Sequence, residues 1–372
     1  MAGIYIHIPF CHSKCSYCDF YSIPMPGLKS DYIKALVKEL EIWLQKKEVQ
    51  GIVWDTVYIG GGTPSILALE ELLTIVKALP LKNVKEFTIE ANPEDVNDEW
   101  ASAVKSFGIN RVSIGIQSFS DEELKLVGRN HTSKQAVQAL HVLRKNGIEN
   151  ISADLIYGLP GQTFESWKSS LDSLLAFKPE HISSYALSYE PGTRLYAQRN
   201  TGKISETDDD TINCMYDYLI NITSEHGFDH YEISNFGLPA RHSRHNSSYW
   251  TFTPYLGVGA AAHGFIGNTR YANPWNIKKY IDTIMTGELI AEKEDLTPDD
   301  IYNEYLMVSL RTSEGLLFPR VIELTDHEHY EFLKKGIQKI NHEGLIIPTL
   351  SGIRIPENNW MVSDAIIRDL MI

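Results

Sequence analysis

Between residues 4 and 187 the chain alternates short β-like runs with amphipathic helical ones, six of the first and five of the second. The β-like runs are Ile4–Ile8, Thr56–Ile59, Glu86–Glu90, Arg111–Ile116, Ile151–Ile156 and His181–Leu187. Between them the helical periodicity covers Asp31–Lys47, with Ser30 or Asp31 as cap, then Ala68–Leu79, Asp98–Phe107, Ser133–Asn146 and Phe164–Phe177. Such alternation predicts parallel strands joined by right-handed crossovers. Eight units are needed to close a β/α barrel, so six predict an α/β fold with a partial (β/α)6 barrel, over residues 1–200. In such sheets the chemistry lies past the C-terminal ends of the strands. The unusual residues of this chain fall there: a cysteine cluster, Gly60-Gly61-Gly62-Thr63-Pro64, Glu90-Ala91-Asn92-Pro93, Gln117-Ser118-Phe119, and Asp154 before Gly158-Leu159-Pro160-Gly161.

After residue 200 the character changes. The acidic stretch Asn200–Asp210 reads as a linker to a helix over Thr211–Glu225, and residues 229–276 are aromatic-rich with few helix signals. Residues 201–295 therefore form a linker helix and an aromatic-rich region. Residues 296–372 predict a smaller α+β C-terminal end, helical or winged-helix-like, with a hairpin of Gly344–Ile347 against Ile353–Ile355.

Only four cysteines occur, three of them within eight residues: Cys11, Cys15 and Cys18, with Cys214 apart. A secreted disulfide framework is excluded on that count. The N-terminus has no basic segment ahead of a long apolar one, so it does not read as a signal peptide. No apolar run reaches the roughly 18 residues of a membrane span. A cytoplasmic, reducing location is expected, where clustered thiols bind metal or do redox work. The net charge of −14 argues against nucleic-acid binding, which needs a basic face. Three thiolates from one loop can hold three corners of an iron–sulfur cube and leave one iron open. The alternative is a Cys3His zinc site completed by His7 or His12. The triple glycine predicts backbone N–H groups that a ligand can approach, or simply a tight turn. Glu90 and Asp154 are strand-end carboxylates, suited to accept hydrogen bonds from hydroxyls or an ammonium, or else to cap helices.

The spacing Cys11-x3-Cys15-x2-Cys18, with Tyr17 before the last cysteine, resembles the signature of the radical S-adenosylmethionine (SAM) family. The resemblance implies a [4Fe–4S] cluster whose open iron binds the amino and carboxylate groups of SAM. It further implies SAM contacts at Tyr5, Gly61, Gly62, Thr63, Gln117 and Arg129, where an Arg otherwise defaults to a surface ion pair, and ribose or ammonium contacts at Glu90 and Asp154. Tyr5-Ile6-His7-Ile8-Pro9-Phe10-Cys11, Gly115-Ile116-Gln117-Ser118-Phe119 and Asp154-Leu155-Ile156-Tyr157-Gly158-Leu159-Pro160 are similar to the coproporphyrinogen III oxidase-like branch.

Two departures favour the heme chaperones of that branch over its oxidases. Phe20 stands where the oxidases have a fourth cysteine, and the chain starts four residues before Tyr5, without their N-terminal extension. His245-Asn246-Ser247-Ser248-Tyr249-Trp250 is similar to the chaperones' heme motif. A neutral imidazole can ligate heme iron and the aromatics can pack on the macrocycle, although such residues are also ordinary core. His242 and His263 are weaker candidates. The resemblance implies heme and apo-hemoprotein recipients, respiratory enzymes among them, and allows a peripheral membrane contact; oxidative decarboxylation of a porphyrinogen is the alternative. Gly257–Ala262 mimics a nucleotide fingerprint but lacks a surrounding βαβ unit, and predicts a close-packed loop.

Overall fold

Each of the six β-like runs is a strand in the computed structural model, which describes residues 2–24, 26–340 and 344–372. The first half runs β1 (Ala2–Ile8), α1 (Lys29–Gln45), β2 (Trp54–Gly61), α2 (Leu69–Ala78), β3 (Glu86–Ala91), α3 (Asp98–Ser106), β4 (Arg111–Gln117), α4 (Asp121–Leu126), α5 (Ser133–Lys145), β5 (Asn150–Tyr157), α6 (Phe164–Ala176) and β6 (His181–Ala186). The six strands pair in chain order and all in parallel.

The two faces of this sheet differ. Ile4, Ile6, Val57, Ile59, Phe87, Ile89, Val112, Ile114, Ile151, Ala153 and Ile182 are buried in the main core. The alternate positions, facing the other way by the strand's period of two, are Tyr5, Thr56, Tyr58, Glu86, Glu90, Arg111, Ser113, Ser152, Asp154, His181 and Ser183. Closed β/α barrels fill this inner face with Val, Ile and Leu. Here it is polar.

The second half continues with α7 (Arg194–Asn200), α8 (Asp209–Glu225), β7 (Asp229–Glu232), β8 (Asn235–Gly237), α9 (Arg244–Trp250), β9 (Tyr255–Val258), β10 (His263–Ile266), β11 (Thr269–Ala272), α10 (Ile277–Met285) and β12 (Glu292–Asp295). Strands β8 and β7 extend the β6 edge antiparallel, while β9 joins β1 in parallel and β10–β12 follow it antiparallel. The chain ends in α11 (Pro298–Ser309), β13 (Leu316–Leu317), α12 (Phe318–Leu324), α13 (His327–Ile340), β14 (Ile347–Pro348), β15 (Gly352–Arg354) and α14 (Ser363–Arg368), packed around Leu306, Leu310, Leu333 and Trp360. Among the described residues no helix is long and apolar enough to cross a membrane.

Three details depart from the sequence expectation. Neither Ser30 nor Asp31 caps α1; the helix starts at Lys29 after an uncapped Leu28, and its buried stripe of Tyr32, Leu36 and Leu40 holds it instead. The acidic stretch before α8 is partly a helix start: Asp208 accepts the Thr211 N–H at 2.9 Å, and Asp209 and Asp210 occupy the first turn. The aromatic-rich stretch holds a helix, α9, capped by Ser243.

The β9 edge is fixed by a buried carboxylate. Glu39 of α1 is fully buried and accepts from the Gly259 N–H (2.8 Å), Asn273 Nδ2 (2.7 Å) and Tyr280 OH (2.6 Å). Gly259 has φ +111°, and a Cβ there would stand 2.5 Å from the Tyr32 hydroxyl. The close packing of this loop therefore depends on glycine.

Candidate functional site

Past the C-terminal ends of β1–β6 lies a cavity of about 400 Å³. Its wall includes Cys11, Cys15, Tyr17, Cys18, Gly61, Gly62, Thr63, Glu90, Gln117, Arg129 and Asp154, so eleven of the thirteen expected site residues meet there. Tyr5 and His245 do not line it.

The cysteine loop leaves β1 and is held at three points. Ser16 N–H donates to the Val127 carbonyl (2.9 Å), Leu195 N–H donates to the Ser16 carbonyl (2.8 Å), and Arg194 donates to the Lys14 carbonyl (2.7 Å). Tyr17 packs on Val127, Ile156 and Leu159. Cys11 is 8% exposed, while Cys15 and Cys18 are partly open to the cavity. Burial pushes the Cys11 thiol up and the Cys18 thiol up to about 11, so ligation there must displace protons. The histidines of the zinc alternative are engaged elsewhere. His7 pairs through Nδ1 with the Tyr5 hydroxyl (2.9 Å) and through Nε2 with the Tyr21 carbonyl (3.0 Å). His12 pairs with Asp95 at 2.9 Å.

The triple-glycine loop differs from expectation. Its N–H groups are consumed internally: Gly61 donates to Glu90 Oε2 (3.0 Å), Gly62 to the Ile8 carbonyl (2.7 Å) and Thr63 to the Phe10 carbonyl (2.7 Å). The loop lies so close to the outgoing β1 segment that a Cβ on Gly62 would stand 2.5 Å from the Phe10 carbonyl oxygen. What it leaves for a ligand is carbonyl oxygen.

The opposite wall carries charge. Glu90 also accepts from the Tyr58 hydroxyl (2.7 Å), and burial pushes it up to about 7. Asp154 accepts from Ser113 (3.2 Å), and burial pushes it up to about 6. Arg129 donates to Asn92 Oδ1 (2.8 Å) and the Gly115 carbonyl (2.6 Å) and reaches to 3.7 Å from Cys15 Sγ; its Nε is buried without a partner. Gln117 sits at φ +68°, where the β4–β5 register slips, a conformation costly for a residue with a Cβ. Bulges of this kind re-aim side chains beside functional sites.

Tyr5 lies beside Tyr58 on the neighbouring strand, its ring stacked on that of Tyr58 at 6.1 Å between centroids, and stays outside the lining. His245 is 1% exposed. Nδ1 pairs with Thr56 Oγ1 (2.9 Å) and Nε2 with the Tyr249 hydroxyl (2.9 Å), while its ring stacks on Tyr58. The backbone N–H groups of Arg244 and His245 both donate to Glu86 (2.9 Å each). Helix α9 thus lies on the polar inner face of the sheet, as the floor of the cavity, and only its Asn246 reaches the lining. Burial lowers His245 to about 3, so the ring is neutral. Its neutrality suits a metal ligand, but both nitrogens are committed.

Sequence reasoning missed Asn92, Tyr58, Ser113, Ser183, Tyr185 and Asn246, which also line the cavity. The period-two alternation of polar residues along β2, β3, β4, β5 and β6 is the signal that would have found all but Asn92 and Asn246.

The carboxylates give a pH prediction. The folded-state value of Asp154 is raised, so folding stability is lost as pH rises from roughly 4 to about 6. Ser113 can donate or accept, so Asp154→Asn keeps its partner. Its stability advantage over wild type should grow by on the order of 1 kcal/mol between pH 5 and pH 8. Thermal unfolding at the two pH values checks this; a variant equally destabilised at both refutes it.

Comparison with known proteins gives concordant matches. The sequence profile of the Radical SAM superfamily matches residues 5–174. The chain is 40% identical over 318 residues to the "Heme chaperone HemW" of Lactococcus lactis, covering 84% of this chain and 82% of that protein. It is 33% identical to the "Heme chaperone HemW" of Bacillus subtilis, over 98% of both. In fold it is similar to the coproporphyrinogen III oxidase HemN of Escherichia coli, with TM-score 0.83 over 99% of this chain and 89% of that one, at 22% identity.

Proposed function

The chain belongs to the radical SAM superfamily and, within it, to the heme chaperone HemW family, and from that premise we propose that it binds heme and delivers it to apo-hemoproteins, respiratory enzymes among them. The family implies a [4Fe–4S] cluster and SAM, and the cavity fits both. Cys11, Cys15 and Cys18 would hold three irons, leaving the fourth for SAM. When bound, the pair supplies one-electron reductive chemistry.

The remaining roles belong to the chain's own side chains. The carbonyl oxygens of the Gly61–Gly62 turn accept from an ammonium, and Glu90 and Asp154 accept from ribose hydroxyls or that same ammonium. Each gain in ionisation of these raised carboxylates is coupled to binding of a cationic or hydroxyl donor. The free Nε of Arg129 supports a carboxylate contact. Gln117, held in its strained turn, lines the wall between them.

The observation that favours delivery over decarboxylation is Phe20. It lines the cavity, is 64% exposed, and occupies the position of the oxidases' fourth cysteine. Anaerobic incubation of reconstituted protein with SAM and coproporphyrinogen III should leave the tetrapyrrole unchanged, while bound heme passes to an apo-hemoprotein. Stoichiometric protoporphyrinogen would overturn the reading.

We further propose that His245 would ligate heme iron in a state in which α9 has left the floor, because in the closed state its ring is buried with Nδ1 on Thr56 of β2 and Nε2 on Tyr249 of its own helix. Heme titration tests this. Uptake is expected to be lost in His245→Ala and kept or strengthened in Tyr249→Phe, which removes the competing hydroxyl from Nε2. Equal uptake by wild type and His245→Ala removes His245 as ligand.

A further inference from the structure

A second cavity, of about 300 Å³, lies at the opposite end of the barrel, beneath the N-terminal ends of β3, β4 and β5. It is lined by Lys85, Lys105, Arg241 and Arg244, which arrive from four different places: the start of β3, the last turn of α3, the segment after β8 and the start of α9. Among the described residues none of the four makes an ion pair with a carboxylate. Nearby Arg144 and Lys145 do, with Glu180 (2.8 Å) and Asp98 (2.9 Å). In a chain of net charge −14, four cations gathered around one concavity without ion pairs repel one another. Glu86 and Glu149 also line it, and Glu86 is already bonded to the backbone of α9. The lining therefore keeps a surplus of two positive charges, which matches a dianion. His242, also in the lining, is bonded to Asp229 at 3.0 Å.

Two further observations mark a built site. Ala240, in the cavity wall, has φ +65°, a conformation that costs a residue with a Cβ roughly 1 kcal/mol or more, and it places Arg241 at the rim. Asn150 Oδ1, also in the wall, is buried without a partner and calls for a donor such as a protonated phosphate oxygen or a sugar hydroxyl.

We propose that this cavity is a phosphate-binding site, for free phosphate or for the phosphoryl group of a small metabolite, separate from the cluster cavity. Two guanidinium forks and two ammonium groups suit the multiple oxygens of a phosphoryl group. The size admits a phosphate or a small phosphorylated molecule and excludes a macromolecular segment of any length. A bound anion would lean on Arg244, the first residue of α9, and so on the floor of the cluster cavity.

The test is calorimetric titration of the full chain with inorganic phosphate, pyrophosphate, ribose 5-phosphate and citrate at constant ionic strength. Saturable binding of at least one phosphate compound is expected. It should weaken by about tenfold or more in Lys105→Gln/Arg241→Gln, two exposed positions outside the cluster cavity, with iron content and unfolding temperature of the unliganded protein unchanged. Tighter binding of ribose 5-phosphate than of phosphate identifies a phosphorylated metabolite; equal or weaker binding identifies free phosphate. No saturable binding, equal affinity in the double variant, or citrate binding as tightly as pyrophosphate overturns the proposal.

Discussion

Replacing Cys15 by Ser should abolish iron–sulfur loading, taking the reconstituted protein from about four irons per chain to almost none. The expected effect is all-or-none because, among the described residues, Cys11, Cys15 and Cys18 on one short loop are the only thiols that line the cavity. His7 and His12 are bonded to Tyr21 and Asp95 and do not replace a lost sulfur. A serine hydroxyl is a hard, weakly acidic donor and a poor ligand for iron in such a cluster. The change should leave the unloaded fold within about 0.5 kcal/mol of wild type, because Cys15 is partly exposed and its loop is tied down through Ser16, Lys14 and Leu195. Iron and sulfide analysis with thermal unfolding of the unloaded protein separates the two effects. A variant that keeps its full iron content would refute the ligand assignment, and one zinc per wild-type chain would refute the cluster.

Glu39→Ala should have the largest effect on stability, a loss of roughly 3 kcal/mol or more. The carboxylate is fully buried, and its removal leaves the Gly259 N–H and the Tyr280 hydroxyl without their acceptor and takes one of the two bonds of the Asn273 amide, which keeps the Gly259 carbonyl. Those three groups join α1 to the β9–β10 turn and to α10, so the loss should concentrate on the β9 edge. Urea unfolding measures the size. Hydrogen exchange along β9–β11 locates it, and unchanged protection there would show that the carboxylate does not fix the edge. Glu39→Gln retains one acceptor and should lie between the two.

The barrel was legible because parallel strands and their helices carry different periods, and the strand ends gathered the unusual residues. Two things were hidden. The triple glycine could be read as a source of N–H groups or as a tight turn, but N–H use depends on what lies alongside, and only the β1 exit and the Glu90 carboxylate of β3 show them spent. The His-Asn-x-x-Tyr-Trp run could be read as a heme ligand set or as ordinary core. Nothing local says that its helix fills the sheet's own concave face, because the His245 partners Gly3, Thr56 and Glu86 stand between 159 and 242 residues away in the sequence. Tyr5 pairs with Tyr58 across β1 and β2, and it is the Tyr58 ring stacked on it that lines the cavity, a side-by-side arrangement no local pattern shows.

The pairing of β1 with β9 also governs how the chain is made. Strand β1 leaves the ribosome long before its outer neighbour at Tyr255–Val258. At roughly 5–20 residues per second, tens of seconds of synthesis separate the two. During that interval β1 presents an unpaired parallel edge, and the barrel's concave face waits for the helix at Arg244–Trp250. Nascent chains stalled before residue 244 should therefore be open to proteases and holdase chaperones, and insertion of iron and sulfide should favour the released chain over the nascent one.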